Sequence, residues 1–241
     1  MINIAWALGS ALLTGILLTV LEMHWAIGLV MGLLVGFVVF FILGRKMQEK
    51  LEGIMTNAGK EIQNQKLERA IEVLKSGLIY KNHHIFIEKQ LNSQIGMLYY
   101  VLKKEEKALE YLSKGFFKAP AAQCMLACIY YKRKDMDNVK KVMEDTVKAN
   151  AKDSLCYALY AYFLENTKEH EAAIKWVQKG LAKMPNDEKL TTNLILLQNQ
   201  KKMKMKVYGD VWVQLMLEKP PRIMQEPPKH MRFNKRAMFR G

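Results

Sequence analysis

The sequence predicts an all-α protein in which two membrane-spanning helices precede an array of paired helices and an extended basic tail. The chain opens with two 19-residue segments that contain no charged residue. Further along, small and large apolar residues recur together at helical spacing. Only two prolines, Pro120 and Pro185, occur before position 220, and this scarcity argues against a β-rich fold with many turns.

The charge of the chain is distributed unevenly. Its 241 residues carry a formal net charge of +14, yet Glu22 is the single charged residue within positions 1–44, so the remainder carries +15. This asymmetry excludes one uniform soluble globule. Three cysteines without a CxxC pair also argue against a disulfide scaffold and a cysteine-rich zinc site.

The two uncharged segments, residues 3–21 and 26–44, each suit a helix of about 28 Å, close to the thickness of the hydrocarbon core of a bilayer. We predict a transmembrane hairpin over residues 1–44. Arg45 and Lys46 follow at once and place both termini in the cytoplasm, most simply at a bacterial inner membrane. A cleaved signal peptide fits poorly because no basic residue precedes the apolar stretch. A buried helical hairpin within a soluble core is the other alternative.

Three glycines at four-residue spacing, Gly28, Gly32 and Gly36, form a smooth stripe on the second predicted span. Such a stripe lets another helix approach closely. We predict that it packs against the first span near Gly9 or Ala11. Oligomerisation through the stripe is the alternative.

Residues 45–217 contain a repeated pattern. A small or β-branched residue is followed four positions later by a larger apolar residue, and the repeated positions are separated by 38, 31 and 34 residues. The pairs are Ala70 with Leu74, Ala108 with Leu112, Val139 with Met143, and Ala173 with Val177. This pattern resembles the tetratricopeptide repeat (TPR) family, whose 34-residue unit is a pair of antiparallel helices. The resemblance implies an α-solenoid of about three to four helical pairs, of which the first, anchored at Asn57, Ala58 and Glu61, has a weak first helix.

The segments after the last repeat are also apolar. Residues 188–203 continue the helical pattern, and residues 207–217 include Trp212 and Leu215. Because the end of a solenoid has to be covered, we predict that both segments cap the last repeat. The second possibility is that residues 207–217 fold back into the groove of the array.

The TPR resemblance also implies a groove lined by the first helix of each pair. Matched to the family's ligand positions, the lining includes Met97, Tyr100, Cys124, Cys128, Tyr131 and Tyr162. The Lys and Asn pattern that clamps a C-terminal carboxylate in some members is missing here. A lining of Met, Cys, Tyr and Ala suits an apolar or amphipathic protein segment. Cys124 and Cys128 share one helix face, where they are better explained as packing residues than as metal ligands.

Residues 218–241 form a tail with a net charge of +5 and four of the six prolines, a composition that predicts an extended segment. Its candidate binding residues are basic: Arg222, Lys229, Arg232, Lys235, Arg236 and Arg240. Anionic lipid near the hairpin, and an acidic protein or another subunit, are the partners that fit this composition. Nucleic acid is the least favoured, because the chain has no nucleic-acid-binding motif.

No catalytic motif occurs in the sequence, so we expect neither an enzyme nor a bound cofactor. The sequence predicts a membrane-anchored scaffold that presents a cytoplasmic groove to a protein partner within a membrane-associated complex. Self-association and a hetero-complex both fit this scheme. One alternative is a structural subunit of a larger membrane machine whose main contacts are made by the hairpin. Another is a tether to nucleic acid or ribosomes through the basic tail.

Overall fold

A computed structural model describes residues 2–21, 24–82 and 86–218. Within these ranges the regular secondary structure is helical, so the prediction of an all-α fold is confirmed there. The helices are α1 (Ile2–Val20), α2 (Trp25–Gln63), α3 (Leu67–Ser76), α4 (Ile87–Val101), α5 (Glu105–Ser113), α6 (Pro120–Lys132), α7 (Met136–Ala149), α8 (Ser154–Asn166), α9 (His170–Lys183), α10 (Glu188–Gln198) and α11 (Asp210–Gln214). Two short 3₁₀ helices lie at Gly77–Tyr80 and Met205–Tyr208.

Helices α1 and α2 pack against each other as a hairpin, and both are long and apolar enough to cross a membrane. The second helix does not end with the apolar stretch at position 44. It continues to Gln63 because residues 45–63 contain good helix formers and no proline. Its last four turns form the first helix of the first pair, where Ala58 is buried and Asn57 is exposed. The predicted domain boundary therefore falls inside an unbroken helix.

The rest of the chain is an array of antiparallel helix pairs. Helix α2 packs on α3, α4 on α5, α6 on α7, and α8 on α9, while neighbouring first helices contact each other along one layer. Backbone geometry repeats with the pairs: the turn residues Gln65, Lys103, Lys134 and Lys168 all have positive φ. Their separations of 38, 31 and 34 residues match those of the small positions Ala70, Ala108, Val139 and Ala173. This recurring turn is the architecture expected of a TPR-type solenoid.

The first turns of several helices are stabilised by capping residues or begin with proline. Asp135, Asp153 and Asp187 each accept a hydrogen bond from a backbone N–H of the following helix's first turn, and Pro120 occupies the first turn of α6. These caps satisfy N–H groups that have no partner within the helix. The predicted small positions are completely buried in the interior between the two layers, together with larger side chains such as Leu112 and Leu159.

The end of the array differs from the main prediction. Helix α10 packs on α9 and covers the last pair, as a cap should. Residues 205–217, which we call the strap, do not extend this cap. At Gln200 the chain makes another positive-φ turn, and Lys204 N–H then donates to the Asn193 side-chain oxygen at 2.7 Å. The strap runs from there across the layer of first helices. It takes this path because Trp212 and Leu215 need an apolar surface, which the first helices provide.

Candidate functional site

The candidate site is the groove formed by the first helices α4, α6 and α8. Each predicted groove residue is on one of these helices, because equivalent positions of successive repeats lie on the same face of the array. Tyr100 and Met97 belong to α4, Cys124, Cys128 and Tyr131 to α6, and Tyr162 to α8. The helical spacing of these residues thus places them in one layer of the array.

The strap lies along this lining. The Trp212 ring meets the Tyr162 ring edge to face, with ring centroids 5.1 Å apart. Further along, the Tyr100 hydroxyl donates a hydrogen bond to the Leu215 carbonyl oxygen. The strap therefore spans from α8 to α4, and two of the six predicted groove residues contact it directly.

A glycine sets the direction of the strap. Gly209 has φ +63° and ψ −139°, a backbone conformation that side chains with a Cβ rarely adopt. It separates the 3₁₀ turn at Met205–Tyr208 from α11. At that point Tyr208 is buried close to α10, where Lys189 Nζ lies 5.3 Å from the centre of its ring. The turn redirects the chain so that Trp212 enters the groove.

Cys128 is completely buried in the middle of the groove. Burial raises the pKa of the Cys128 thiol to about 12, outweighing the opposing effects of the Lys132 charge and the Tyr100 hydroxyl. Burial likewise raises the pKa of Tyr100, whose hydroxyl accepts a hydrogen bond from Lys132 Nζ at 3.1 Å. Both groups are thus neutral at physiological pH, so the centre of the groove presents no ionised thiol or phenol.

The other predicted groove residues do not touch the strap in the contacts described. Cys124 is buried between helices, with its Sγ 3.8 Å from the Sγ of Cys156. Tyr131 stacks on Phe163 with ring centroids 4.6 Å apart, and Met97 is half-buried against the core. Cys124 therefore packs the array, whereas Met97 and Tyr131 keep part of their surface on the groove.

A cavity of about 630 Å³ remains between the strap and the first helices. Its lining combines residues of the array, residues of the strap and the first residue of the tail: Tyr100, Lys103, Glu105, Lys132, Val213, Met216, Leu217 and Glu218. The strap thus fills the groove incompletely, and two lysines and two glutamates surround the unfilled part.

Three contributors to this site were not among the predicted residues. Lys132 holds the Tyr100 hydroxyl, Asn193 fixes the start of the strap, and Gly209 turns it. The signals in the sequence are weak. Asn193 is one of several polar residues in α10, and Gly209 comes three residues after the last of four lysines at positions 201, 202, 204 and 206. Neither pattern indicates its partner.

The three stripe glycines of α2 face α1. A Cβ added at Gly32 would lie 2.6 Å from the Ala11 carbonyl oxygen, and one at Gly36 would lie 2.8 Å from the Ala11 Cβ. A Cβ at Gly28 would lie 3.1 Å from the Gly15 carbonyl oxygen, whereas nothing lies within 4 Å of a Cβ at Gly9. The backbones are therefore in close contact along the stripe, on the Ala11 side of α1 and not at Gly9.

The candidate basic residues of the tail, from Arg222 to Arg240, lie outside the described residues, as does Glu22 of the predicted hairpin turn. Among the residues that are described, no group of three His, Cys, Asp or Glu side chains is arranged to hold a metal ion.

No protein-family model and no characterised protein matches the chain. Among solved structures it is similar to a crystal structure of MamA, with 16% identity, 70% of this chain and 89% of that chain covered, and a TM-score of 0.49. It is also similar to a MamA structure that begins at residue 41, from Desulfovibrio magneticus RS-1, with 19% identity, coverage of 69% and 93%, and a TM-score of 0.47. At these values the similarity carries no information about partner or activity. The chain is thus described by its own architecture, a TPR-type helical array that follows an apolar helical hairpin.

Proposed function

We propose that this protein is a membrane-anchored scaffold whose TPR-type array binds a protein partner at the cytoplasmic face of a membrane. The observation that carries the proposal is the uncovered apolar surface of the hairpin. Side chains such as Leu13, 72% exposed, and Phe37, 68% exposed, point away from the packed interface of α1 and α2.

The exposed apolar side chains continue along both helices and around their outer faces. They include Trp6, Leu8, Leu12, Leu13, Ile16, Leu17, Leu29, Val30, Leu33, Leu34, Phe37 and Phe41. Soluble monomers rarely expose contiguous apolar patches of more than a few hundred Å². A helix within a soluble core would have these side chains buried. Lipid is the environment in which such a surface is stable.

The junction between hairpin and array supports a fixed geometry at the membrane surface. Helix α2 has 39 residues and is therefore roughly 58 Å long, about twice the length needed to span the hydrocarbon core. At this same end of the hairpin, the start of α1 also contacts the array, because the Ile2 N–H donates to the Asn82 carbonyl oxygen at 2.9 Å. The array thus starts at the end of the hairpin where Arg45 and Lys46 lie, which is the cytoplasmic side under the positive-inside rule.

The binding function is inferred from the groove. Its apolar lining already accommodates a peptide segment, the strap, through an aromatic contact and a hydrogen bond to a main-chain carbonyl. Both are contacts that a protein segment offers, and the Cys128 thiol and Tyr100 phenol at the centre of the groove are neutral. A protein ligand therefore fits the groove better than a reaction substrate does.

A topology experiment tests the membrane part of the proposal. A reporter that is active only in the cytoplasm, fused after Gly241, should give full activity. The same reporter inserted between α1 and α2, at residues 22–24, should give none. An inactive reporter at the C-terminus, or a chain that remains in the soluble fraction, would contradict the proposal.

The alternative is a structural subunit whose main contacts are made by its hairpin, and the structure limits which hairpin residues could make those contacts. The glycine stripe is already in contact with α1, so a second membrane protein would have to contact the outward side chains, such as Leu33 and Phe37. Replacing both by alanine should dissociate a complex of that kind while the array stays intact. Retained assembly would favour binding through the groove.

A further inference from the structure

The strap occupies the groove in the manner of a ligand. It contacts α8 through Trp212 and α4 through Leu215, two first helices that are separated by α6, whereas the other helices of the array pack mainly on elements one or two places away in the chain. It also makes its contacts at residues that the TPR resemblance assigns to ligand binding, Tyr100 and Tyr162. The array therefore contains a peptide in its own binding site.

The strap contacts the groove with one face of α11 and with Leu215, which follows the helix directly and keeps a helical backbone conformation. Trp212 and Leu215, three positions apart, are 3% and 1% exposed, whereas Val211 and Val213 on the other face are 43% and 54% exposed. Residues three apart lie on the same side of a helix, so an aromatic residue and a leucine at this spacing anchor the segment together. This pair defines the side-chain pattern that the groove accepts.

The strap has less regular secondary structure than the helices beneath it. Its helix, α11, has only five residues, and a helix of that length has little stability of its own. Beside it lies the cavity of about 630 Å³, bordered by the strap residues Val213, Met216 and Leu217. A longer or bulkier helix would fill the groove more completely than the strap does.

We propose that the external partner of the groove presents a short amphipathic helix with an aromatic residue and a leucine three positions later, and that it binds by displacing the strap. The inference rests on the proposed binding function of the groove and specifies its partner. The strap is then an internal competitor that keeps the groove closed until such a helix is available.

Peptide binding to the full chain in detergent micelles tests this proposal. The probe is a fluorescent peptide with the sequence of residues 205–218. The protein variant combines Trp212→Ala with Leu215→Ala, which removes both anchors of the strap and leaves the groove unchanged. The matched control is Val211→Ala, on the exposed face of the same helix.

The peptide should bind the double variant at least about tenfold more tightly than the wild type. The reason is that a tethered segment competes at an effective concentration of roughly millimolar. Val211→Ala should behave as the wild type does. A peptide that carries alanine at the positions of Trp212 and Leu215 should not bind, whereas a peptide with alanine at position 211 should.

Three results would overturn the proposal. The first is no binding of the probe to a double variant that keeps its helicity. The second is equal binding to variant and wild type, since the strap would then not occupy the site. The third is loss of array helicity in the double variant, which would make the strap an integral part of the core.

Hydrogen exchange of the wild-type chain provides a test that needs no variant. If the strap opens while the array stays folded, its amides should exchange at least about 100-fold faster than those in the middle of α8. Equal rates would contradict the proposal. Neither measurement depends on membrane topology, so a soluble or inverted chain would refute the anchoring without affecting these results.

Discussion

Small and large residues have opposite places in the two halves of this molecule. In the hairpin, Gly28, Gly32 and Gly36 are buried against α1, while large side chains such as Leu33 and Phe37 are exposed. In the array, large side chains such as Leu112 and Leu159 are completely buried, and lysines and glutamates occupy the surface. The difference shows that burial in the array follows from removal of apolar surface from water, whereas the hairpin is held by close backbone approach. This contrast fits the proposal that the hairpin lies in lipid and the array in water.

The largest expected effect comes from placing charged residues on the exposed outer face of the hairpin. Replacing both Leu13 and Leu34 by arginine should release the protein from membranes. A charged residue at the centre of a spanning helix costs about 2.5–3.5 kcal/mol on insertion scales. The measurement is the fraction that resists carbonate extraction.

The matched control for this change is Ile195→Arg, at an exposed apolar position of the array. That position faces water, so the control should leave membrane association and stability unchanged. Full carbonate resistance of the Leu13 and Leu34 variant would show that the exposed faces do not contact lipid.

The next effect concerns the array interior. Leu159→Ala should lower the free energy of unfolding by about 2–5 kcal/mol, because it removes a fully buried side chain and leaves a cavity. Urea unfolding followed by circular dichroism in mild detergent measures this loss. Leu33→Ala in the hairpin should have little effect in the same assay, and equal losses would argue that both leucines are buried.

Alkaline pH should lower the free energy of unfolding through the buried Cys128 thiol at the centre of the groove. The Cys128 thiol, with an ordinary pKa of 9.0, keeps its proton in the folded state up to about pH 12. The unfolded thiol ionises first as pH rises. Its contribution to the free energy of unfolding is therefore complete below pH 9.0 and should fall by up to about 4 kcal/mol as pH rises to about 12.

Cys128→Ala removes the titrating group and supplies the reference for this measurement. The difference in unfolding free energy between wild type and variant should be constant below pH 9.0 and change above it. A difference that stays flat up to pH 12 would mean that solvent reaches the thiol in the folded chain.

The smallest expected effect is within the hairpin interface. Gly32→Leu would place a side chain where the Ala11 carbonyl oxygen lies, and overpacking of this kind typically costs about 1–3 kcal/mol. Amides of α1 should then exchange faster in hydrogen-exchange measurements. Gly9→Leu, where nothing lies within 4 Å, should leave these rates unchanged. Identical behaviour of the two variants would show that the stripe does not hold the hairpin.

Much of the fold could be predicted from the sequence because it is encoded locally. Charge-free segments, capping aspartates and the recurrence of small residues are each properties of a few neighbouring positions. The recurring turn at Gln65, Lys103, Lys134 and Lys168 reproduces in the backbone the spacing that the small residues have in the sequence. The candidate groove residues were predicted as one face for the same reason, since position within a repeat determines which layer a side chain joins.

The occupant of the groove could not be predicted in this way. Trp212 and Leu215 are 50 or more residues from Tyr162 and Tyr100, and no local pattern indicates which apolar surface an apolar segment will cover. The cap and the groove both offered such a surface, and the hydrogen bond of Lys204 to Asn193 together with the Gly209 turn directs the strap to the groove.

The sequence by itself determined the class of each half: an apolar hairpin with basic residues at its end, then repeated helix pairs with a definite layer for every position. Tertiary structure decided how the halves are joined and how the groove is filled. Helix α2 passes from one half into the other without a break. The strap buries its two anchors on helices distant in the chain. The physical reason is that helix period and charge act over a few residues, whereas the partner of an apolar face depends on which surfaces folding brings within reach.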